Sequence, residues 1–297
     1  MTQPGNETAT YRSRAKINLY LDVLDRRPDG FTNIETIFQS IDLWDELRFS
    51  PAPDRTRFTC NLTALADPGG NLAVRAAELL RRHTGEGRGI AIHLEKRIPV
   101  AAGLAGGSGN AAATLIALNE SWELGLAPET LADLAAELGS DVPFCLAGGT
   151  VAATGRGEVL ETLPPLPPQW LVLAHPPLAI TAGHAYGHPR LTRNLTPPEN
   201  GKTPQFRAAL DALGRGDVAG LVFNRMESGV FHDHPELASL KDALLEAGCA
   251  ASAMSGSGPT VFGLCDSEAA ARRAAARITA CATSVVATAG CGVERVA

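Results

Sequence analysis

The sequence predicts an α+β protein built as two domains, and three observations predict it. Strand-like and helix-like segments alternate along the whole chain without any repeat of roughly 20–50 residues, which excludes a solenoid. The 297 residues exceed what one domain of roughly 100–200 residues takes up. The run Pro164-Pro165-Leu166-Pro167-Pro168 can neither continue a helix nor sit in a central strand, so it marks the boundary between expected domains 1–163 and 164–297.

In the first half, Ala15, Ile17, Leu19, Leu21 and Val23 alternate with Lys16, Asn18, Tyr20 and Asp22. That period of two is the signature of a strand with one buried face, and it puts Lys16 and Asn18 on the same side. Further strands are expected at 31–41, 45–50, 57–62 and 90–98. A helix over 71–83 starts from Asn71, a capping residue. Others run from about Gly107 to Leu118 and over 128–138, and strands follow at 150–154 and 157–163. Beyond the prolines the pattern restarts with strands at 170–176, 251–255, 260–265 and 284–288 and helices at 206–213, 237–247 and 267–279.

With 32 acidic against 26 basic residues, the net charge of −6 argues against a nucleic-acid binder. Any anionic ligand must then meet a local positive site. No apolar run approaches the ~20 residues of a membrane span, and the first residues lack the flank and core of a signal peptide, so a cytoplasmic protein without membrane partner is expected. The six cysteines are scattered without a C-x-x-C pair and read as reduced packing residues.

The most informative segment runs from Pro99 to Ala113 and holds Gly103, Gly106, Gly107, Ser108, Gly109 and Asn110 between a strand and a helix. It is neither a dinucleotide fingerprint nor a Walker loop, because no Lys follows the glycines. Glycines bring backbone N–H groups close to a phosphate at a helix start, and Ser108 adds a hydroxyl for phosphate or metal. A turn capping a core helix fits the composition equally well. A second turn, Ser255-Gly256-Ser257-Gly258, suits a tight hairpin, and its hydroxyls also suit binding at an interdomain cleft.

Asp141, before Val142-Pro143, fits an N-cap or a carboxylate projected into a cleft as a base. Lys16 fits a solvated strand lysine or a charge held near phosphates. His184, His188, His232 and His234 have metal-like spacings without a Cys or Glu set to complete a site, and read as surface histidines. No G-x-S-x-G elbow is present.

In order, AKINLYLDVLDRRPDGF, PVAAGLAGGSGNAA, LGSDVPF, GRGE and MSGSGPTVFGL resemble the motifs of the GHMP kinases, most closely of the 4-diphosphocytidyl-2-C-methyl-D-erythritol kinases of non-mevalonate isoprenoid synthesis, from about Ala15 to Leu264. The resemblance implies an N-terminal domain like ribosomal protein S5 domain 2, a ferredoxin-like C-terminal domain, and ATP and a nucleotide-linked polyol in the cleft between them. It implies an ATP-dependent kinase acting on the 2-hydroxyl of that diphosphocytidyl polyol by direct in-line transfer. A paralogous GHMP kinase for another alcohol is the alternative.

By the same resemblance, Asp141 is the catalytic base and Lys16 its companion. Asn18 orients substrate, Gly103 to Asn110 form the phosphate loop, and Asn71 and Lys96 line the adenine pocket. Mg²⁺ is expected with ATP, with Ser108 as candidate ligand. Three departures from the family pattern stand out. Ala105 and Gly109 replace a Gly and a Ser of the loop, and Ala105 is tolerable there only at negative φ. Phe31 and Thr32 replace a Tyr and a His, so Phe31 stacks on cytosine while backbone groups at Phe31 and Thr32 read its edge. Tyr186 supplies a second aromatic, with the Thr before it one residue out of register.

Overall fold

The computed structural model describes residues 8–65, 67–196 and 201–297. Two long strands form its backbone: β1 (Ala9–Arg26) and β2 (Thr32–Ala52) pair antiparallel along nearly their whole length. The pairing slips between Arg14 and Ala15, where Trp44 and Ile41 are the successive partners, and again between Asn18 and Tyr20. These bulges bend the ribbon and re-aim its side chains.

β3 (Thr56–Cys60), α1 (Leu72–Thr84) and β4 (Gly89–Glu95) follow, with β3 and β4 parallel as a crossover through a helix requires. α2 (Gly106–Ser121), α3 (Pro128–Leu138) and α4 (Val142–Ala147) lead into β5 (Thr150–Thr154) and β6 (Val159–Thr162). The helices cover one face of the first sheet, burying Leu115 and Leu118 against Phe49, Ile92 and Leu94. Each such side chain stabilises the fold by about 1.5–3 kcal/mol.

After the prolines come β7 (Trp170–His175), α5 (Ala182–Gly187), α6 (Pro204–Gly214), β8 (Phe223–Asn224), α7 (Glu227–Asp233) and α8 (Pro235–Glu246). The chain ends through β9 (Ala251–Met254), β10 (Val261–Cys265), α9 (Glu268–Arg277), β11 (Ala282–Ala287) and β12 (Val293–Arg295). The second sheet has the order β11-β7-β10-β9, all antiparallel. That is the split β-α-β order of a ferredoxin-like domain, as expected.

The middle of β7, Leu171 to Ala174, is apolar because both of its faces are buried. Val172 and Ala174 lie under the helices, while Leu171 and Leu173 pack against Ala15, Ile17 and Leu19 of β1. Two later segments return to the first sheet, β8 beside β1 in parallel and β12 beside β1 antiparallel, so residues past 164 complete the N-terminal sheet. The same arrangement corrects the expectation of a single buried face on β1. Lys16, Asn18, Tyr20 and Asp22 are as buried as their apolar neighbours.

Candidate active site

A cleft of about 640 Å³ opens between the two sheets. Its floor is the polar face of β1. The Lys16 Nζ donates to Asn18 Oδ1 at 2.7 Å and stands 3.7 Å from Asp141 Oδ2. Asp141 precedes α4 with αR backbone angles, φ −84° and ψ −12°, and its side chain makes no capping bond. An N-cap residue has extended backbone and spends its oxygen on the helix, so the carboxylate is free to act elsewhere.

The glycine segment enters α2 from one wall. Gly103 has φ +75°, and a Cβ on it would lie 2.1 Å from the Ser255 carbonyl oxygen, so only glycine fits. Gly256, at φ +56°, packs less tightly: a Cβ there would stand 3.3 Å from Asn18 Oδ1 and 3.4 Å from Lys16 Nζ. The turn that carries it is a hairpin, closed by the Ser255 N–H donating to the Thr260 carbonyl oxygen at 2.9 Å. Gly256 and Ser257 nevertheless line the cleft, so hairpin and binding wall are one feature.

At the start of α2 the first N–H groups have no intrahelical acceptor, and the N-cap, Ala105, offers no side-chain cap. Gly109 N–H is already taken by the Ala105 carbonyl oxygen at 2.9 Å. The amides of Gly106, Gly107 and Ser108 therefore form the anion-seeking end, with Ser108 facing the cleft.

The structure places several of the expected site residues outside this cleft. Gly109 and Asn110 do not line it. Gly109 lets α2 approach the β1 backbone, where its Cβ would sit 3.3 Å from the Arg14 carbonyl oxygen, and buried Asn110 accepts from Ser13 Oγ at 2.8 Å. Lys96 does not line this cleft either. It is buried on Asp45 Oδ2 at 2.7 Å and the Ile98 carbonyl oxygen at 2.7 Å, and burial pulls its pKa below the usual lysine range despite Asp45. Asn71 is the N-cap of α1, accepting from the Ala73 N–H at 3.0 Å, and lies outside this cleft. Ala105 sits at φ +54°, the left-handed region, rather than at negative φ.

At the far end of the cleft Phe31, 47% exposed, faces the opening with the Arg156 guanidinium 4.7 Å from its ring centroid. Thr32 and Tyr186 line the same cleft, and burial, followed by the charge of Asp141, raises the Tyr186 phenol. Backbone readout at Phe31 is largely closed off, because its N–H donates to Asp29 Oδ1 at 3.1 Å and its carbonyl oxygen accepts from Arg27 N–H at 2.8 Å.

The sequence reading missed Arg26, Arg156 and Arg193, which with Lys16 make this wall positive in a chain of negative net charge. Arg193 is braced by the carbonyl oxygens of Leu24 and Tyr186, at 3.2 and 3.0 Å.

The histidines are also arranged differently from the expectation. His184, His188 and Asp233 bring ligand-type atoms within 4.8 Å of one another, and His188 is buried. The Arg190 N–H donates to His188 Nδ1 at 3.1 Å, so the proton is on Nε2, which donates to Asp233 Oδ2 at 3.0 Å. A metal on Nε2 would require the opposite tautomer, with Nδ1–H facing the Arg190 N–H. The group is a tether between α5 and α7.

The family model described as GHMP kinases N terminal domain matches residues 71–149, and that described as GHMP kinases C terminal matches 203–282. A 4-diphosphocytidyl-2-C-methyl-D-erythritol kinase of Pelotomaculum thermopropionicum is 47% identical over 272 residues, covering 90% of this chain and 93% of that protein. The chain belongs to the 4-diphosphocytidyl-2-C-methyl-D-erythritol kinase family of GHMP kinases. The family member of Geobacillus kaustophilus is 45% identical over 258 residues, 85% of this chain and 87% of its own.

A crystal structure of a 4-(cytidine 5'-diphospho)-2C-methyl-D-erythritol kinase superposes with a TM-score of 0.79 at 34% identity, covering 95% of this chain and 99% of the other. A homoserine kinase of Cytophaga hutchinsonii shares the fold at TM-score 0.75 and 19% identity, over 100% and 99% of the two chains. Among the described residues of this family member, no helix is long and apolar enough to cross a membrane.

Proposed function

We propose that this kinase transfers the γ-phosphoryl group of ATP to the 2-hydroxyl of 4-diphosphocytidyl-2-C-methyl-D-erythritol, with Asp141 as base and Lys16 as the charge beside it. The observation that carries the reading is the approach of Lys16 Nζ to an uncapped Asp141 carboxylate at 3.7 Å, in the cleft that also receives Ser108 and the start of α2.

Asp141 takes the proton of the substrate hydroxyl, the oxygen forms its bond to the γ-phosphorus, and the bond to the β-phosphate oxygen breaks to leave ADP. The Lys16 ammonium offsets negative charge on the transferring group. The amides of Gly106 to Ser108 hold ATP phosphates, and Arg26, Arg156 and Arg193 suit the substrate diphosphate. The Ser108 hydroxyl and the Asp141 carboxylate, hard oxygen donors on one cleft, fit Mg²⁺ arriving with ATP. When bound, that ion neutralises phosphate charge.

The test is Asp141→Asn, which keeps the shape and cannot accept the proton. Turnover is expected to fall by about a hundredfold or more while ATP binding persists. Near-normal turnover would remove Asp141 from the chemistry.

A further inference from the structure

Behind the Lys16–Asp141 pair lies a closed polar chain whose donors and acceptors can all be assigned. The Thr36 hydroxyl has one proton, which it donates to the Tyr20 carbonyl oxygen at 2.6 Å. That carbonyl lies next to the slip in pairing between Asn18 and Tyr20. With its proton spent, Thr36 Oγ1 can only accept, and it does so from Asn18 Nδ2 at 2.8 Å. The amide of Asn18 is thereby forced to present Oδ1 to Lys16 Nζ, at 2.7 Å.

Thr36 is fully buried and Asn18 is 2% exposed, so the protein itself must satisfy these groups. Turning the Asn18 amide over would set its NH₂ against the ammonium, donor facing donor, and its oxygen against the Thr36 oxygen, acceptor facing an acceptor whose proton is already spent on the Tyr20 carbonyl oxygen. Two mismatches follow from one flip.

We infer that Thr36 is a positioning residue for phosphoryl transfer: acting through Asn18, it fixes the Lys16 ammonium beside Asp141. The inference rests on the reading of Lys16 and Asp141 as the reacting pair. It changes the role expected of Asn18, whose oxygen is turned to the lysine rather than left for substrate.

The experiment is a double-mutant cycle on Thr36→Val and Asn18→Ala, with Thr36→Ser and Asp141→Asn alongside. Thr36→Val keeps the volume and removes the oxygen. Its kcat is expected to fall about ten- to a hundredfold, the worth of one hydrogen bond to a charged group, with KM for ATP unchanged. Thr36→Ser should stay within about twofold of the parent, and the double variant should lose no more than Asn18→Ala alone.

Additive losses, a KM effect without a kcat effect, or full activity in Thr36→Val would each overturn the inference. Should Thr36→Val fail to fold, Thr36→Ala set against Thr36→Ser makes the same comparison. An inactive Asp141→Asn beside a fully active Thr36→Val rejects the inference alone, whereas an active Asp141→Asn rejects the reacting pair and the inference with it.

Discussion

The Ser255 hydroxyl donates to the Gly103 carbonyl oxygen at 3.0 Å, joining the two glycine turns across the domain boundary. Each turn lacks the side chains to hold itself, and the close approach of their backbones supplies the support. The wall that enters α2 and the wall beside Lys16 are therefore one unit.

Gly103→Ala should break that unit. The new Cβ meets the Ser255 carbonyl oxygen at 2.1 Å and the backbone is held at φ +75°, so a loss of about 2–4 kcal/mol in urea unfolding is expected, with turnover lost as well. A variant as stable as the parent would mean the two turns separate freely.

Ala105→Gly should do the reverse. Ala105 is held at φ +54° and ψ +28° as the N-cap of α2, a conformation that costs an L-residue about 1–2 kcal/mol. Glycine relieves it but gains freedom in the unfolded chain, leaving a net stabilisation of about 0.5–1 kcal/mol. Equilibrium urea unfolding reads this directly, and a destabilised variant would show that the methyl contributes packing that outweighs the strain.

What could be read from the sequence divides along physical lines. The helix at Pro128–Leu138 and the strand at Thr150–Thr154 were legible because propensity, pattern and breakers agreed. The two strands expected at 31–41 and 45–50 are one, because a bulge in β2 itself, at Asp42 and Leu43, absorbs the irregular stretch between them. The helices α5 and α7, of six and seven residues, carry too few apolar positions to show a period.

In the site, Lys16 and Asp141 were legible as a family pattern, but the polar side of β1 looked like a solvated face, since burial of a polar residue depends on partners such as Thr36 that share no local signal with it. The burial of Lys96 was illegible for the same reason: its partner Asp45 is 51 residues away. Arg156 and Arg193 were hidden by the abundance of arginine in this composition.

His175 should make stability depend on pH. Its Nδ1 lies 3.3 Å from Thr260 Oγ1, its Nε2 is buried without a partner, and burial lowers its pKa from the usual 6.5. Below 6.5 the unfolded chain takes up a proton that the folded protein refuses, so stability is present above that pH and is lost as pH falls toward the lowered folded value. The melting temperature is expected to drop between about pH 7.5 and about pH 5.5, and His175→Gln, which cannot charge, should drop less. An equal drop in both proteins assigns the pH dependence to other groups.

The last prediction concerns recognition of the base. Phe31 presents a ring whose other neighbour is the Arg156 guanidinium at 4.7 Å, a cation–π contact that holds the platform in place. Stacking tolerates any base, because each has a π-face. Selection must come from hydrogen bonds, yet the N–H and carbonyl oxygen of Phe31 are already engaged by Asp29 and Arg27. Edge readout thus falls to Thr32, a hydroxyl of shorter reach than a histidine ring nitrogen.

Phe31→Ala is expected to raise KM for the cytidine substrate about ten- to a hundredfold with kcat nearly unchanged, the signature of a ring that stacks on the base without touching the reacting atoms. Thr32→His should lower the same KM about fivefold, the worth of one neutral hydrogen bond, and should widen the preference for cytidine over uridine substrates. A fall in kcat with Phe31→Ala would place the ring at the chemistry instead, and equal use of cytidine and uridine by both proteins would show that this end of the cleft stacks the base without reading it.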